Sequence, residues 1–132
     1  MTPELDAKLC SDFPMLYGDR DDSMQVTCMC WGFPGDGWEP LIRRLSEKLE
    51  AAIRALPKAE RWYCRAMQVK EKYGTLRFYM TTETAEMSAW IEEAEAESAR
   101  TCERCGAPGR LRGMGWLYTA CDAHSEAEDR EP

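Results

Sequence analysis

The chain carries a single histidine, His124, and no uninterrupted apolar run longer than a few residues. With one imidazole, a serine or cysteine nucleophile has few ways to find a neighbouring base. The short apolar runs exclude a membrane-spanning helix, so no membrane partner is expected. The opening stretch MTPELDAKLCSDFP has no basic start followed by an apolar segment, and the expectation is a soluble, cytoplasmic protein. A phosphate loop of the GxxxxGK[ST] kind is missing, and GFPGDG follows no strand-to-helix pattern that would make it a dinucleotide fingerprint. Positive charge is the minority, with 17 Lys and Arg against 24 Asp and Glu and a formal net charge of −7, which argues against a chain coated for duplex DNA. Seven cysteines without a secretion signal cannot form a fully paired disulfide set, and metal binding is the better reading.

What is present suffices for one folded domain. The chain has 132 residues, 44% of them hydrophobic, including five Trp, five Tyr and three Phe. Residues 1 to 37 are rich in Pro, Gly, Asp and Cys, and irregular structure anchored by aromatics is expected there. Leu41, Ile42, Leu45, Leu49, Ala52, Ile53 and Leu56 then fall at helical spacing, which predicts an amphipathic helix over about 39–56, with Pro40 in its first turn and Pro57 at its end. In RWYCRAMQVKEKYGTLRFYMT, alternation on both sides of Tyr73-Gly74 predicts a β-hairpin over about 62–81. Met67, Val69, Leu76, Phe78 and Met80 should face inward, and Gln68, Lys70, Lys72, Arg77 and Tyr79 outward. A second helix over about 84–100 has Met87, Trp90, Ile91, Ala94 and Ser98 on one face. The first helix and the hairpin are expected to bury each other.

The strongest signal is TCERCGAPGRLRGMGWLYTACDAH. Cys102 and Cys105 are two residues apart, as are Cys121 and His124, with fifteen residues between the pairs. Zinc takes four N or S donors in a tetrahedron, and a Cys-x-x-Cys turn brings two thiolates to one ion. Gly106 permits the tight backbone that such a knuckle needs, and PGRLRGMGWLYTA reads as a short hairpin that returns the chain to the metal. A knuckle, hairpin and helix would make a treble clef; two knuckles would make a zinc ribbon. With four protein ligands the site has no open position for an activated water, so the expected role of zinc is structural. The fold class is therefore α+β: two amphipathic helices and a hairpin over residues 1–100, a zinc module over 101–125 packed on it, and an acidic tail over 126–132.

The remaining cysteines, Cys10, Cys28, Cys30 and Cys64, could gather on a second ion, but the single-residue spacing of Cys28 and Cys30 chelates less well, and thiols packed with Met and Trp are the better reading. Asp36 in GDGW is read as an Asx-type turn rather than an acid or base. Positive charge concentrates in two places: Arg61, Arg65, Lys70, Lys72 and Arg77 against Glu71, and Arg100, Arg104, Arg110 and Arg112 against Glu103 and Asp122. Side by side, the hairpin and the knuckle would form a cationic patch for nucleic acid or another anionic ligand, drawing on Lys70, Lys72, Arg77, Tyr79, Arg110 and Arg112, with Trp116 also available for stacking. The alternative is a solvated strand face paired with the Glu-rich helix.

The blocks CMCWGFPGDGWEPLI, QVKEKYGTLRFYM and ESARTCERCGAPGRLRGMGWLYTACDAH resemble, in order, a family of small uncharacterised proteins of tailed bacteriophages and prophages. Members similar to this chain often carry a cysteine just before GDGW. Here Pro34 holds that place, which counts against a second zinc site through Cys28 and Cys30. The resemblance implies a phage setting, a bacterial host cell and a zinc site, and it implies no mechanism. The functional expectation is a non-enzymatic accessory protein that binds a host protein, for instance to inhibit a host defence; a nucleic-acid or nucleotide binder is the alternative.

Overall fold

The structure, a computed structural model, describes residues 1–126. Its architecture is α+β. Of the acidic tail, residues 127–132 lie outside the described residues.

The expectation of irregular structure over residues 1 to 37 is corrected for the first part of that stretch; residues 18–37 are irregular apart from 3-10 turns at Met29–Trp31 and Asp36–Trp38. Helix α1 spans Pro3–Asp12 and α2 spans Pro14–Tyr17. Thr2 caps α1 through its side chain, which accepts from the Leu5 amide, and Pro3 occupies the first turn. Each helix is too short for a sustained period, and Pro14 separates them. The start of α2 is instead satisfied from far along the chain. The buried Glu50 carboxylate accepts from the amides of Met15 at 3.0 Å and Leu16 at 2.7 Å, which supplies the negative charge that a helix N-terminus favours.

Glu50 belongs to α3, Glu39–Ala55, whose apolar stripe of Leu41, Ile42, Leu45, Leu49 and Ile53 is buried. Full burial of each such side chain contributes roughly 1.5–3 kcal/mol. Leu56 turns extended ahead of Pro57, as a residue before proline tends to do. The same stripe carries Ser46, whose hydroxyl donates to the Ile42 carbonyl and pairs at 2.6 Å with the buried Tyr17 hydroxyl. A short α4, Lys58–Arg61, leads into the hairpin.

Strands β1 (Ala66–Lys72) and β2 (Thr75–Met80) pair antiparallel around Tyr73 and Gly74, whose φ values of 54° and 86° match the twist of a two-residue hairpin turn. The register shifts between Ala66 and Gln68, so strict alternation fails at the start of β1. Ala66 and Val69 are buried, and Met67, expected inward, is only half-buried. Helix α5, Ala85–Ser98, buries Met87, Ile91, Ala94 and Ser98 and half-buries Trp90. It also closes the free edge of β2: Ser98 Oγ accepts from the Leu76 amide at 2.8 Å and Glu95 Oε2 from the Phe78 amide at 3.0 Å.

Helix α3 lies chiefly against α5 and α2, and β2 lies on α5. The first long helix and the hairpin thus share one core that also includes Tyr17, Met29 and Phe33, rather than burying each other as a pair. Among the described residues no helix is long and apolar enough to cross a membrane.

Replacing Glu50 by alanine strips the part-buried amide of Met15 and the buried amide of Leu16 of their acceptor. A loss of about 2 kcal/mol is expected, read as a lower urea midpoint with an unchanged slope.

Candidate metal centre

Beyond α5 the chain forms a turn at Cys102–Gly106, a small hairpin of β3 (Arg110–Arg112) and β4 (Tyr118–Ala120), and a single 3-10 turn at Asp122–His124. The turn is held by the Gly106 amide donating to the Cys102 carbonyl at 2.9 Å and the Cys102 amide donating to Ala107 at 2.8 Å. Gly106 adopts φ +81°, which a side chain would resist. At the other end the His124 amide donates to the Cys121 carbonyl at 3.1 Å. Knuckle, hairpin and helical turn in this order suggest a treble-clef-like module whose closing helix is one turn long.

The four expected residues are brought together. One donor atom from each of Cys102, Cys105, Cys121 and His124 lies within 4.8 Å of the others. Sγ of Cys105 and Sγ of Cys121 are 3.7 Å apart, and His124 Nδ1 is 3.3 Å from Cys121 Sγ and 3.7 Å from Cys102 Sγ. A tetrahedron built on zinc–sulfur and zinc–nitrogen bonds of about 2.3 and 2.0 Å has edges of roughly 3.8 and 3.5 Å. The donor set and spacing fit a metal ion of that size.

Burial opposes ionisation of the Cys102 thiol, but the amides of Cys121, Cys105 and Arg104, together with the Cys105 thiol, favour the thiolate and bring it down to about 6. At Cys105 the Ala107 amide pulls downward, yet burial and the neighbouring thiols of Cys121 and Cys102 carry the group upward. The thiolate is thus favoured at Cys102 and disfavoured at Cys105 beside it, an arrangement that a cation relieves.

No family model, curated protein or solved structure matches the chain. What the site can do follows from its donors and from what holds them.

That support comes from an unexpected segment. GDGW is a clamp on the knuckle: the Gly37 amide donates to the Glu103 carbonyl at 2.7 Å, the Gly35 amide to Glu103 Oε2 at 3.0 Å, and the indole N–H of fully buried Trp38 to the Thr101 carbonyl at 2.8 Å. A Cβ on Gly37 would lie 2.1 Å from the Cys102 carbonyl oxygen and 2.7 Å from the Cys105 amide. Only glycine allows this approach. The sequence offered a sign of it, since glycines on both sides of Asp36 mark close backbone contact as well as a turn. Asp36 itself is corrected: rather than an Asx turn, its carboxylate accepts from the Thr2 amide at 2.7 Å. Burial raises the Glu103 carboxyl above its ordinary range, against the pull of the Gly35 amide.

The other predicted residues divide. Lys70 and Arg77 are cross-strand partners on the outer face of β1–β2, Lys72 is exposed at the end of β1, and Tyr79 is 42% exposed. The metal hairpin meets β1–β2 at its turn, where Thr119 Oγ1 donates to the Gly74 carbonyl at 2.6 Å and Leu111 covers Gly74. Lys72 therefore lies near the metal module, whereas Tyr79 sits four residues beyond Thr75, about 13 Å up the strand. Arg110 is exposed. Arg112 is not available as a ligand contact. It is buried, donating from Nε to the Ala120 carbonyl at 2.8 Å and from a terminal nitrogen to the Asp122 carboxylate at 2.7 Å, and so it ties the backbone before Cys121 to the side chain after it. A second metal site is not formed: among the described residues Cys102, Cys105, Cys121 and His124 make the one group of its kind. Of the other cysteines only Cys64 is buried, and Cys30 is exposed, which also corrects the expectation of four packed thiols.

Gly37→Ala should push GDGW off the knuckle while leaving all four donors in place. A 10–100-fold loss of metal affinity is expected, the scale of a lost supporting contact around a metal site, measured by competition with a chromogenic chelator.

Proposed function

We propose that Cys102, Cys105, Cys121 and His124 hold one structural zinc ion, and that the protein is a non-enzymatic binding protein acting on a host macromolecule, most simply a host protein. Support for zinc comes from three sulfurs and one nitrogen at tetrahedral spacing, a donor set that suits this ion better than harder cations. Four protein ligands leave no position for substrate. Binding at such sites contributes on the order of 10 kcal/mol, enough to order a segment with little core of its own.

The observation that carries the binding role is the tip of the metal hairpin. Met114, between Gly113 and Gly115 at positive φ, is 97% exposed, Trp116 just after them is 79% exposed, and Leu111 is exposed beside the β1–β2 turn. Large apolar side chains held out on a metal-stiffened turn suit a protein contact, because Trp anchors tend to dominate such interfaces. The phage setting, the host cytoplasm as its place of action and a role as an inhibitor of host defence rest on the resemblance of the sequence blocks alone.

One observation favours the nucleic-acid reading. Lys70 and Arg77 face each other across the sheet, an unfavourable pairing of like charges, and neither they nor Lys72 form an ion pair with any described residue. The loss of Arg112 from the patch and the separation of Tyr79 from the metal hairpin leave this surface smaller than the sequence implied.

Elemental analysis of purified protein should give one zinc per chain, and chelation or Cys105→Ser should lower the thermal midpoint and release residues 101–125 to proteolysis. Protein that carries no zinc and is indifferent to chelator would refute the structural-metal reading. For the binding role, Met114→Ser with Trp116→Ser should keep zinc and fold yet lose at least about tenfold in affinity for the host protein captured by the wild type. Capture of nucleic acid instead, weakening steeply with added salt and dependent on Lys70 and Arg77, would favour the second reading.

A further inference from the structure

Arg65 is the anomaly of the positive segment. It is 7% exposed, and its guanidinium makes no hydrogen bond or ion pair with any described residue. Its unbonded guanidinium nitrogens keep solvent contact, since among the described residues no buried side-chain nitrogen lacks a hydrogen-bond partner. Here the guanidinium is held by shape. Its carbon lies 4.7 Å from the centre of the Trp62 ring, and a terminal nitrogen occupies the place a Cβ of Gly18 would take, 1.7 Å away. Gly18, at φ +56°, is what admits it. The backbone of Arg65 is fixed as well: its amide donates to Thr81 Oγ1 at 3.1 Å and its carbonyl accepts from the Thr81 amide at 2.8 Å.

This guanidinium borders a cavity of about 520 Å3, whose wall also includes Lys58, Arg61, Trp62, Met15 and Pro14. That size suits a small organic ligand. Arg61 is directed by two backbone carbonyls, those of Leu56 at 2.9 Å and Arg54 at 2.7 Å, which leave its charge without an anionic partner. Two carboxylates, Asp19 and Asp22, also line the cavity; neither forms an ion pair with its cations among the described residues, Asp19 accepting from the Asp21 amide and Asp22 from the Ser23 amide. Their presence opposes a polyanion such as a nucleic-acid strand. It leaves room for a ligand with one anionic head, whose body can lie along the exposed indole of Trp62 and the apolar side chains of Met15 and Pro14.

We propose that this cavity binds a small organic anion, a carboxylate or phosphate monoester on a flat apolar body, with Arg65 as its counter-ion and Lys58 and Arg61 beside it in the lining. The site shares no residue with the metal centre, and its occupation does not depend on zinc being the ion there. A guanidinium sandwiched between an indole and a glycine presents its donor edge in a fixed direction, which is what planar recognition of a carboxylate or phosphate needs.

The test is titration of the full-length, isotope-labelled protein with benzoate and with phenyl phosphate, following the Arg65 Nε–H and Trp62 indole signals. Saturable shifts of both signals are expected with at least one probe, and the tighter probe identifies the head group. Arg65→Met should weaken binding at least about tenfold. Because that variant removes a buried side chain, Lys58→Glu, an exposed charge reversal in the lining, serves as the second arm and should weaken binding while leaving the thermal midpoint unchanged. Absence of any saturable shift with both probes, or equal affinity in the wild type and in folded Lys58→Glu, would overturn the proposal.

Discussion

The structure depends on a backbone contact that no side chain mediates: Gly37 pressed against the carbonyl of Cys102 and the amides of Cys105 and Gly106. Through it the loop before α3 and the turn that carries two of the metal donors become one unit. Trp38 adds a second tie by donating to Thr101, and its ring is buried in the main core. Movement of the metal knuckle is therefore movement of the start of α3. A metal module that could have been an appendage is joined to the domain by its own ligand turn.

A second chain of constraints runs through buried polar groups. Glu50 satisfies the start of α2, Ser46 holds Tyr17, Ser98 and Glu95 satisfy the open edge of β2, and Thr119 bridges the two hairpins through Gly74. Each is a polar residue on an otherwise apolar or packed face, and each meets a backbone group or hydroxyl that would be costly to bury alone. Arg65 breaks this pattern. Its side chain is largely covered, and among the described residues it has the Trp62 ring and Gly18 beside it but no ion-pair partner.

Much of the fold was legible because its signals are local. The stripe from Leu41 to Ile53, the alternation about Tyr73-Gly74 and the face from Met87 to Ser98 each repeat within one element, and their boundaries fall within a few residues of the observed ones. The four metal donors were legible for the same reason, since paired x2 spacings encode two turns. What escaped was non-local. Helices α1 and α2 are too short to show a period, and α2 takes its cap from a residue 34 positions away. Arg112 looks like any surface arginine until β3 and β4 pair and turn it toward Asp122.

The sequence by itself determined the helices, the hairpin and the identity of the donor set, because helical and strand periodicity and chelate spacing are properties of neighbouring residues. Tertiary structure alone decided that GDGW clamps the knuckle, that Arg112 supports Cys121, that Cys10, Cys28, Cys30 and Cys64 form no ligand group among the described residues, and that Arg65 is buried beside Gly18. Each of these depends on which distant backbones approach within a few ångströms, and a linear string records composition and spacing but not that approach.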